Sequence, residues 1–252
     1  MNIIISMYVF FTGTILGSFY NVVGLRLPKN LPFAISRSYC PHCLTLLQAR
    51  DLIPLLSYFL SRGKCRHCAK NISYTYLLVE FLTGILFLLA YLRLGLSSVF
   101  IGACSLISLA VIVSVSDLKY MVIPNRLLLF FGLFFVVYRF IYPLNPWYDS
   151  ILGAVTGFGL IFIIIFISKG GIGAGDMKLL GTLGILLGMN LTLLTFFLAV
   201  ILGTVISFSL LIFKVIGRKD PFPFGPSIVG GSMVSYLFGN SMLTFYFEAF
   251  YF

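Results

Sequence analysis

The chain has 252 residues, 60% of them hydrophobic and only 10% charged, with 17 Lys and Arg against 7 Asp and Glu and a net charge of +10. Soluble domains carry about a quarter charged residues, so this composition, with a mean hydropathy of +1.08, excludes an ordinary water-soluble enzyme and indicates an integral membrane protein. The positive charge does not mark a nucleic-acid binder, because the basic residues form no patch and instead punctuate apolar runs.

The first apolar run covers 3–25. Met1-Asn2-Ile3 offers no basic n-region and no small-residue cleavage site follows the run, so it reads as a retained helix and not a removed signal peptide. After the polar stretch 26–74, apolar segments follow at 75–92, 98–116, 127–142, 150–168, 177–190, 191–213 and 226–247. A helix needs about 20 residues to cross about 30 Å of hydrocarbon, so several of these sit near the lower limit. Residues 179–213 are far too long for one helix. Read as a hairpin turning at Met189-Asn190, they have a short first arm broken by Gly181, Gly184 and Gly188. Charge decides in favour of the hairpin. With eight spans, the loops 26–74, 117–126, 169–178 and 214–225 share one side and hold 15 of the 17 Lys and Arg, leaving only Arg93 and Arg139 opposite. A single long helix would send Lys214, Arg218 and Lys219 outward, against the positive-inside rule. The expected architecture is therefore an all-α polytopic membrane protein with about eight transmembrane helices. Both termini lie outside the cytoplasm, and a cytoplasmic loop joins the first two helices. The chain divides into a first helix (1–25), that loop (26–74) and a transmembrane domain (75–252).

The loop carries Cys40-Pro-His-Cys43 and Cys65-Arg-His-Cys68, with 21 residues (44–64) between the knuckles. Two Cys-x-x-Cys turns at this distance, marginally wider than the common spacing, point to one tetrahedral zinc ion. A closed four-cysteine shell leaves no open position, so the zinc would be structural and would supply folding free energy to a loop too small for its own core. A disulfide pair and idle thiols are the alternatives, and a reducing cytoplasm argues against the first. His42 and His67 read as exposed passengers, and Cys104 as a small packing or lipid-facing residue.

Asp117 and Asp176 each stand where an apolar run meets a short polar stretch, the second within Gly173-Ala-Gly-Asp176. An acid inside a transmembrane helix costs about 2.5–3.5 kcal/mol on insertion scales, so such residues usually serve a pathway or a site. Two carboxylates on one membrane face suggest an acid/base pair sharing a proton. The plainer reading is a pair of helix-end residues, each beside a lysine in Asp117-Leu118-Lys119 and Asp176-Met177-Lys178. Gly170, Gly171, Gly173 and Gly175 leave space for a substrate backbone to approach Asp176. Asp51, Asp149 and Asp220 read as solvated loop residues and Glu248 as interfacial. With only two histidines, a nucleophilic triad has little support.

The order of motifs is recognisable. Gly17-Ser-Phe-Tyr-Asn-Val-Val-Gly-Leu-Arg-Leu-Pro28 precedes the first knuckle, Ile53-Pro-Leu-Leu-Ser-Tyr58 and Arg62-Gly-Lys-Cys65 lead to Ile72-Ser-Tyr-Thr-Tyr-Leu-Leu-Val-Glu80, and Asp117-Leu-Lys-Tyr-Met-Val-Ile-Pro-Asn125, Gly173-Ala-Gly-Asp-Met-Lys-Leu-Leu180 and Pro223-Phe-Gly-Pro226 follow. The series closely resembles the type IV prepilin peptidases, bifunctional leader peptidase/N-methyltransferases of bacterial pilus, type II secretion and competence systems. The resemblance implies that Asp117 and Asp176 are the catalytic dyad of a membrane aspartic peptidase in 75–252, at the cytoplasmic face of a bacterial cell membrane. It implies prepilin or pseudopilin substrates in the bilayer, cut after a glycine that ends a basic leader, and methylation of the new N-terminal residue from S-adenosylmethionine. The methylation half rests on the resemblance alone, since no glycine-rich nucleotide fingerprint is present. It points to the cysteine loop, with Gly63 and Glu80 as candidates, although Glu80 also reads as a helix-end carboxylate paired with Arg or Lys. The stretch Pro28–Ser36 is shorter than usual for the family and lacks the acidic residue often found there. The alternatives are a peptidase without methyltransferase activity and a transporter with a carboxylate pair. A transporter would place its acids near the bilayer midplane in repeated halves, and neither feature is present.

Overall fold

The computed structural model describes residues 2–32, 38–40, 42–168, 173–215, 217 and 220–250. The fold is helical: α1 (Ile3–Arg26), the short α2 (Leu56–Leu60), α3 (Tyr74–Leu94), α4 (Ser98–Tyr120), α5 (Asn125–Ile141), α6 (Asp149–Ser168), α7 (Ala174–Leu187), α8 (Met189–Ile212) and α9 (Gly225–Phe250). Each of the apolar segments expected from sequence becomes one helix. Among the described residues five of them, α1, α3, α4, α6 and α8, are long and apolar enough to cross a membrane. At 17 and 14 residues, α5 and α7 are shorter than a full crossing needs. Rings and aliphatic chains such as Phe140, Phe166 and Ile167 project from the helices, as expected where the solvent is hydrocarbon.

The chain forms two compact units, Met1–Phe100 and Ile101–Phe252. In the first, α1 packs along α3. Where lipid is as apolar as leucine, helices associate through close backbone approach at small residues. A Cβ added to Gly13 would lie 2.9 Å from Gly84 Cα, and one added to Gly17 2.8 Å from Thr83 Cβ. In the second unit, α6 packs on α7 and α8 on α9. Gly153 and Gly184 face each other across the α6–α7 seam so closely that a Cβ on either would overlap the other's carbonyl, and one on Gly157 would lie 2.6 Å from Leu180 O. Gly181 and Gly184, expected to weaken the first arm of the hairpin, are instead the surface through which that arm packs.

The hairpin turns one residue earlier than expected, at Gly188, which separates α7 from α8 and takes φ +77°, a conformation open to glycine. Its lack of Cβ also admits Asp149, whose Oδ1 accepts the Met189 N–H at 3.1 Å and caps α8. Asp149 is thus a capping residue and not the solvated loop acid the sequence suggested. At the other end of the turn, the Arg139 guanidinium donates to Leu186 O in the last turn of α7, through Nε at 2.9 Å and through an NH2 group. That carbonyl has no partner within its own helix, and a cation suits the helix C-terminus.

Gly184→Val should destabilise the second unit by about 1–3 kcal/mol through overpacking, read as a lower unfolding temperature in detergent by circular dichroism. The half-buried Gly159, where an added Cβ meets nothing within 4 Å, should tolerate Ala.

Candidate functional site

Asp117 lies in the last turn of α4 and Asp176 in the first turn of α7. Both are buried, at 6% and 8% exposure. A tight turn follows Asp117. The Met121 N–H donates to Asp117 O at 2.8 Å, Met121 takes φ +53°, and the Ser116 hydroxyl donates to Val122 O. Pro124, lacking an N–H, then stands at the N-cap of α5.

This turn packs on the start of α7. A Cβ on Gly175 would lie 3.3 Å from Ile123 Cβ, and Lys178 Nζ donates to Asn125 Oδ1 at 3.0 Å. The two Asp-x-Lys stretches therefore meet, and the carboxylates stand within electrostatic reach of each other. Gly175 lies against the Asp117 turn, where its missing side chain leaves room for Ile123. Gly173 is exposed, and its carbonyl accepts the Asp176 N–H at 3.1 Å. Gly170 and Gly171 lie outside the described residues.

A third segment completes the site. The Gly225 N–H, at the first residue of α9, donates to Asp117 Oδ2 at 2.9 Å, and a Cβ at Gly225 would lie 2.7 Å from that oxygen. The N-terminal amides of a helix lack intrahelical partners and carry partial positive charge, so α9 presents a fixed donor to a buried carboxylate. The motif Pro223–Pro226 was visible in the sequence, but the role of its glycine was not. Nothing in a linear pattern says that residue 225 meets residue 117.

In the first unit the cysteine knuckles repeat one local structure. Cys40 N–H donates to Thr45 O at 3.0 Å and Leu44 N–H to Cys40 O at 2.9 Å, while Cys65 N–H donates to Lys70 O and Ala69 N–H to Cys65 O, both at 2.9 Å. Leu44 and Ala69 take φ +58° and +56°, and isolated bridges Tyr39–Leu46 and Lys64–Asn71 close the turns. The four sulfurs lie within 4.8 Å of one another, with Cys40–Cys68 and Cys43–Cys65 both at 3.9 Å. Sulfurs about 2.3 Å from a central metal stand roughly 3.8 Å apart in a tetrahedron, so the cluster fits one ion. All four cysteines are free of disulfides. The Thr45 hydroxyl, 3.3 Å from Cys43 Sγ, lowers that thiol to about 6, while burial and the neighbouring thiols push Cys68 up to about 11. His42 and His67 are exposed and stand outside the group.

Gly63 takes φ +67° beneath Tyr58, whose hydroxyl would lie 2.8 Å from an added Cβ. Glu80 is 9% exposed; its Oε2 accepts the Leu55 N–H at 2.9 Å. Among the described residues it forms no salt bridge; the Arg66–Asp51 pair, at 3.2 Å, lies elsewhere in the loop. The expected helix-end pairing of Glu80 with Arg or Lys is therefore replaced by a backbone amide. Asp51, expected as a solvated acid, is held by Arg66 and by the Gln48 N–H at 3.1 Å. Glu80, Asp51 and Tyr58 line a cavity of about 290 Å³ between the α1–α3 pair and the cysteine loop.

Comparison with known proteins divides the chain in the same way. Residues 11–94 match the family described as the Bacterial Peptidase A24 N-terminal domain, and residues 104–208 match the Type IV leader peptidase family. The chain is 40% identical over 237 residues to a prepilin leader peptidase/N-methyltransferase of Bacillus subtilis, covering 94% of this chain and 96% of the relative. It is 30% identical to proteins of the same name from Aeromonas hydrophila (94% and 92% covered) and Neisseria gonorrhoeae (91% and 89%). No solved structure matches.

The cysteine geometry predicts one metal ion per chain, measured by elemental analysis of protein purified without chelators. Replacing Cys40, Cys43, Cys65 and Cys68 together by Ser should abolish it; a metal-free wild-type protein would contradict the assignment.

Proposed function

Because the chain belongs to the type IV leader peptidase family, we propose that it removes the leader of prepilins or pseudopilins after a glycine and N-methylates the new N-terminus. The observation that carries the peptidase reading is the meeting of two buried carboxylates from two helix ends, one of them tied to the Gly225 amide. Asp117, whose Oδ2 already accepts a hydrogen bond, is the ionised partner and takes a proton from the attacking water. Asp176 is the protonated partner, which polarises the scissile carbonyl and then gives its proton to the leaving amine. Gly173, exposed beside Asp176, is where the substrate backbone approaches. Gly175 serves the site indirectly by letting Ile123 close on α7.

The metal is zinc, held by Cys40, Cys43, Cys65 and Cys68 in a closed structural shell. S-adenosylmethionine supplies the methyl group when bound, and Gly63 and Glu80 belong to the part of the chain that serves this step. Eight crossings place the loops 26–74, 117–126, 169–178 and 214–225, with their 15 basic residues, at the cytoplasmic face of a bacterial cell membrane. The short α7 is shielded by α5, α6, α8 and α9, which is how a helix of this length is accommodated at membrane depth. The second reading, a peptidase that only cleaves, is disfavoured by the buried Glu80 and the ordered cysteine knuckles.

Asp117→Asn and Asp176→Asn should each lower leader removal by roughly 10²–10⁴-fold or more, because an amide keeps the volume but can neither accept nor supply the proton. Cleavage of a co-expressed prepilin, followed by gel mobility, measures this, and near-normal processing by either variant would remove the dyad. Membrane-impermeant thiol reagents should fail to label Cys40 and Cys68 in intact cells. A reporter fused after Phe252, which lies outside the described residues, should be external.

A further inference from the structure

The loop 26–74 carries eight Lys and Arg against a single acid, Asp51, yet its short helix is apolar on the outside. In α2, Leu56, Phe59 and Leu60 stand at i, i+3 and i+4, on one face of the helix, and they are 54%, 68% and 72% exposed. Leu52 and Ile53, just ahead of them, are exposed as well. The opposite side carries the hydroxyls of Ser57, Tyr58 and the following Ser61, all of which line the cavity under the loop. A helix at a water surface turns its polar side out and its apolar side toward the core. In α2 the polarity is reversed.

Two contacts set the level of this helix against a membrane span. The Leu55 N–H, at the N-cap of α2, donates to Glu80 Oε2 at 2.9 Å, and the Tyr58 and Tyr74 rings lie 6.1 Å apart. Tyr74 opens α3, and Glu80 stands about 9 Å further along its axis. At 21 residues, α3 needs nearly its whole length to cross about 30 Å of hydrocarbon. The short helix is therefore level with the first two turns of a membrane-crossing one. We propose that α2 and its leading turn (52–60) form an interfacial segment, seated by its apolar face in the headgroup–acyl boundary of the leaflet at which α3 begins. Amphipathic helices of this kind bury their apolar face about 5–10 Å deep, which is the depth that the Glu80 contact gives. Arg50, Arg62 and Lys64 flank the segment in sequence and are exposed, so they complement the anionic headgroups of a leaflet surface. A second copy of the chain is a poorer occupant, because a stable interface buries roughly 800 Å² per partner, more than the side chains of one helical turn offer. The cysteine loop is thus anchored to the bilayer by its own helix as well as by α1 and α3.

Trp147 is the only tryptophan of the chain, so Trp147→Phe combined with Phe59→Trp leaves one reporter on the apolar face, with unchanged helicity by circular dichroism as the check on folding. In full-length protein reconstituted into vesicles of phosphatidylethanolamine and phosphatidylglycerol, this tryptophan should lose most of its emission to phospholipids brominated near the headgroup end of the acyl chain, and little to aqueous acrylamide. In the unaltered protein, a phospholipid with a photoreactive acyl chain should label a peptide containing Leu56–Leu60 as well as α1 and α3. Quenching by acrylamide without an effect of bromine would place the face in water, and shielding from both would mean that protein, such as a second copy, covers it. Either result, or photolabel confined to the spans, would overturn the inference. None of these readouts depends on which side of the membrane the loop occupies, so a failure of the proposed topology is read separately.

Discussion

The second unit is organised around the cost of holding two carboxylates away from water among apolar helices. An isolated ionised carboxylate in such surroundings is strongly penalised, and a pair of like charges more so. Among the described residues, backbone and not cations meets this cost. Asp117 receives the Gly225 amide, and Asp176 stands beside the Asp117 turn at the start of α7. The neighbouring Lys178 is directed to Asn125 instead of to either acid. A carboxylate neutralised by a lysine would be a poor proton carrier. On the proposed reading, one held by a neutral amide next to a second carboxylate stays able to exchange a proton.

The same economy governs the packing. Without water to drive helices together, contact depends on how closely backbones approach, and glycine is the residue that permits it. Gly153 against Gly184, Gly157 against Leu180, and Gly175 against Ile123 bring α6 onto α7 and the Asp117 turn onto the start of α7. The placement of the dyad is thus a result of small residues along α7, whose short length leaves both of its ends available. One end carries Asp176; the other is closed by Arg139 and the Gly188 turn.

Much of this was legible in the sequence. Hydropathy located every long helix, because a membrane span is a local property of 20 or so residues. The knuckle spacing located the four-cysteine cluster, because each Cys-x-x-Cys is a local turn. Contacts between distant segments were not legible. Asp149 and Asp51 looked solvated but have backbone and Arg66 partners; Gly175 carried no sign of Ile123, nor Gly225 of Asp117. The hairpin was found by charge partition, yet its turn fell at Gly188 because the sequence does not reveal which residue must take positive φ to clear Asp149.

The central claim is that the buried pair in one unit is a leader peptidase and that the same chain then methylates its product. The most direct measurement is the intact mass of a prepilin co-expressed with the unaltered protein. The account predicts a substrate shortened at the glycine that ends its leader and carrying one added methyl group. A prepilin recovered at full length, from cells in which the protein is inserted and folded, would contradict it.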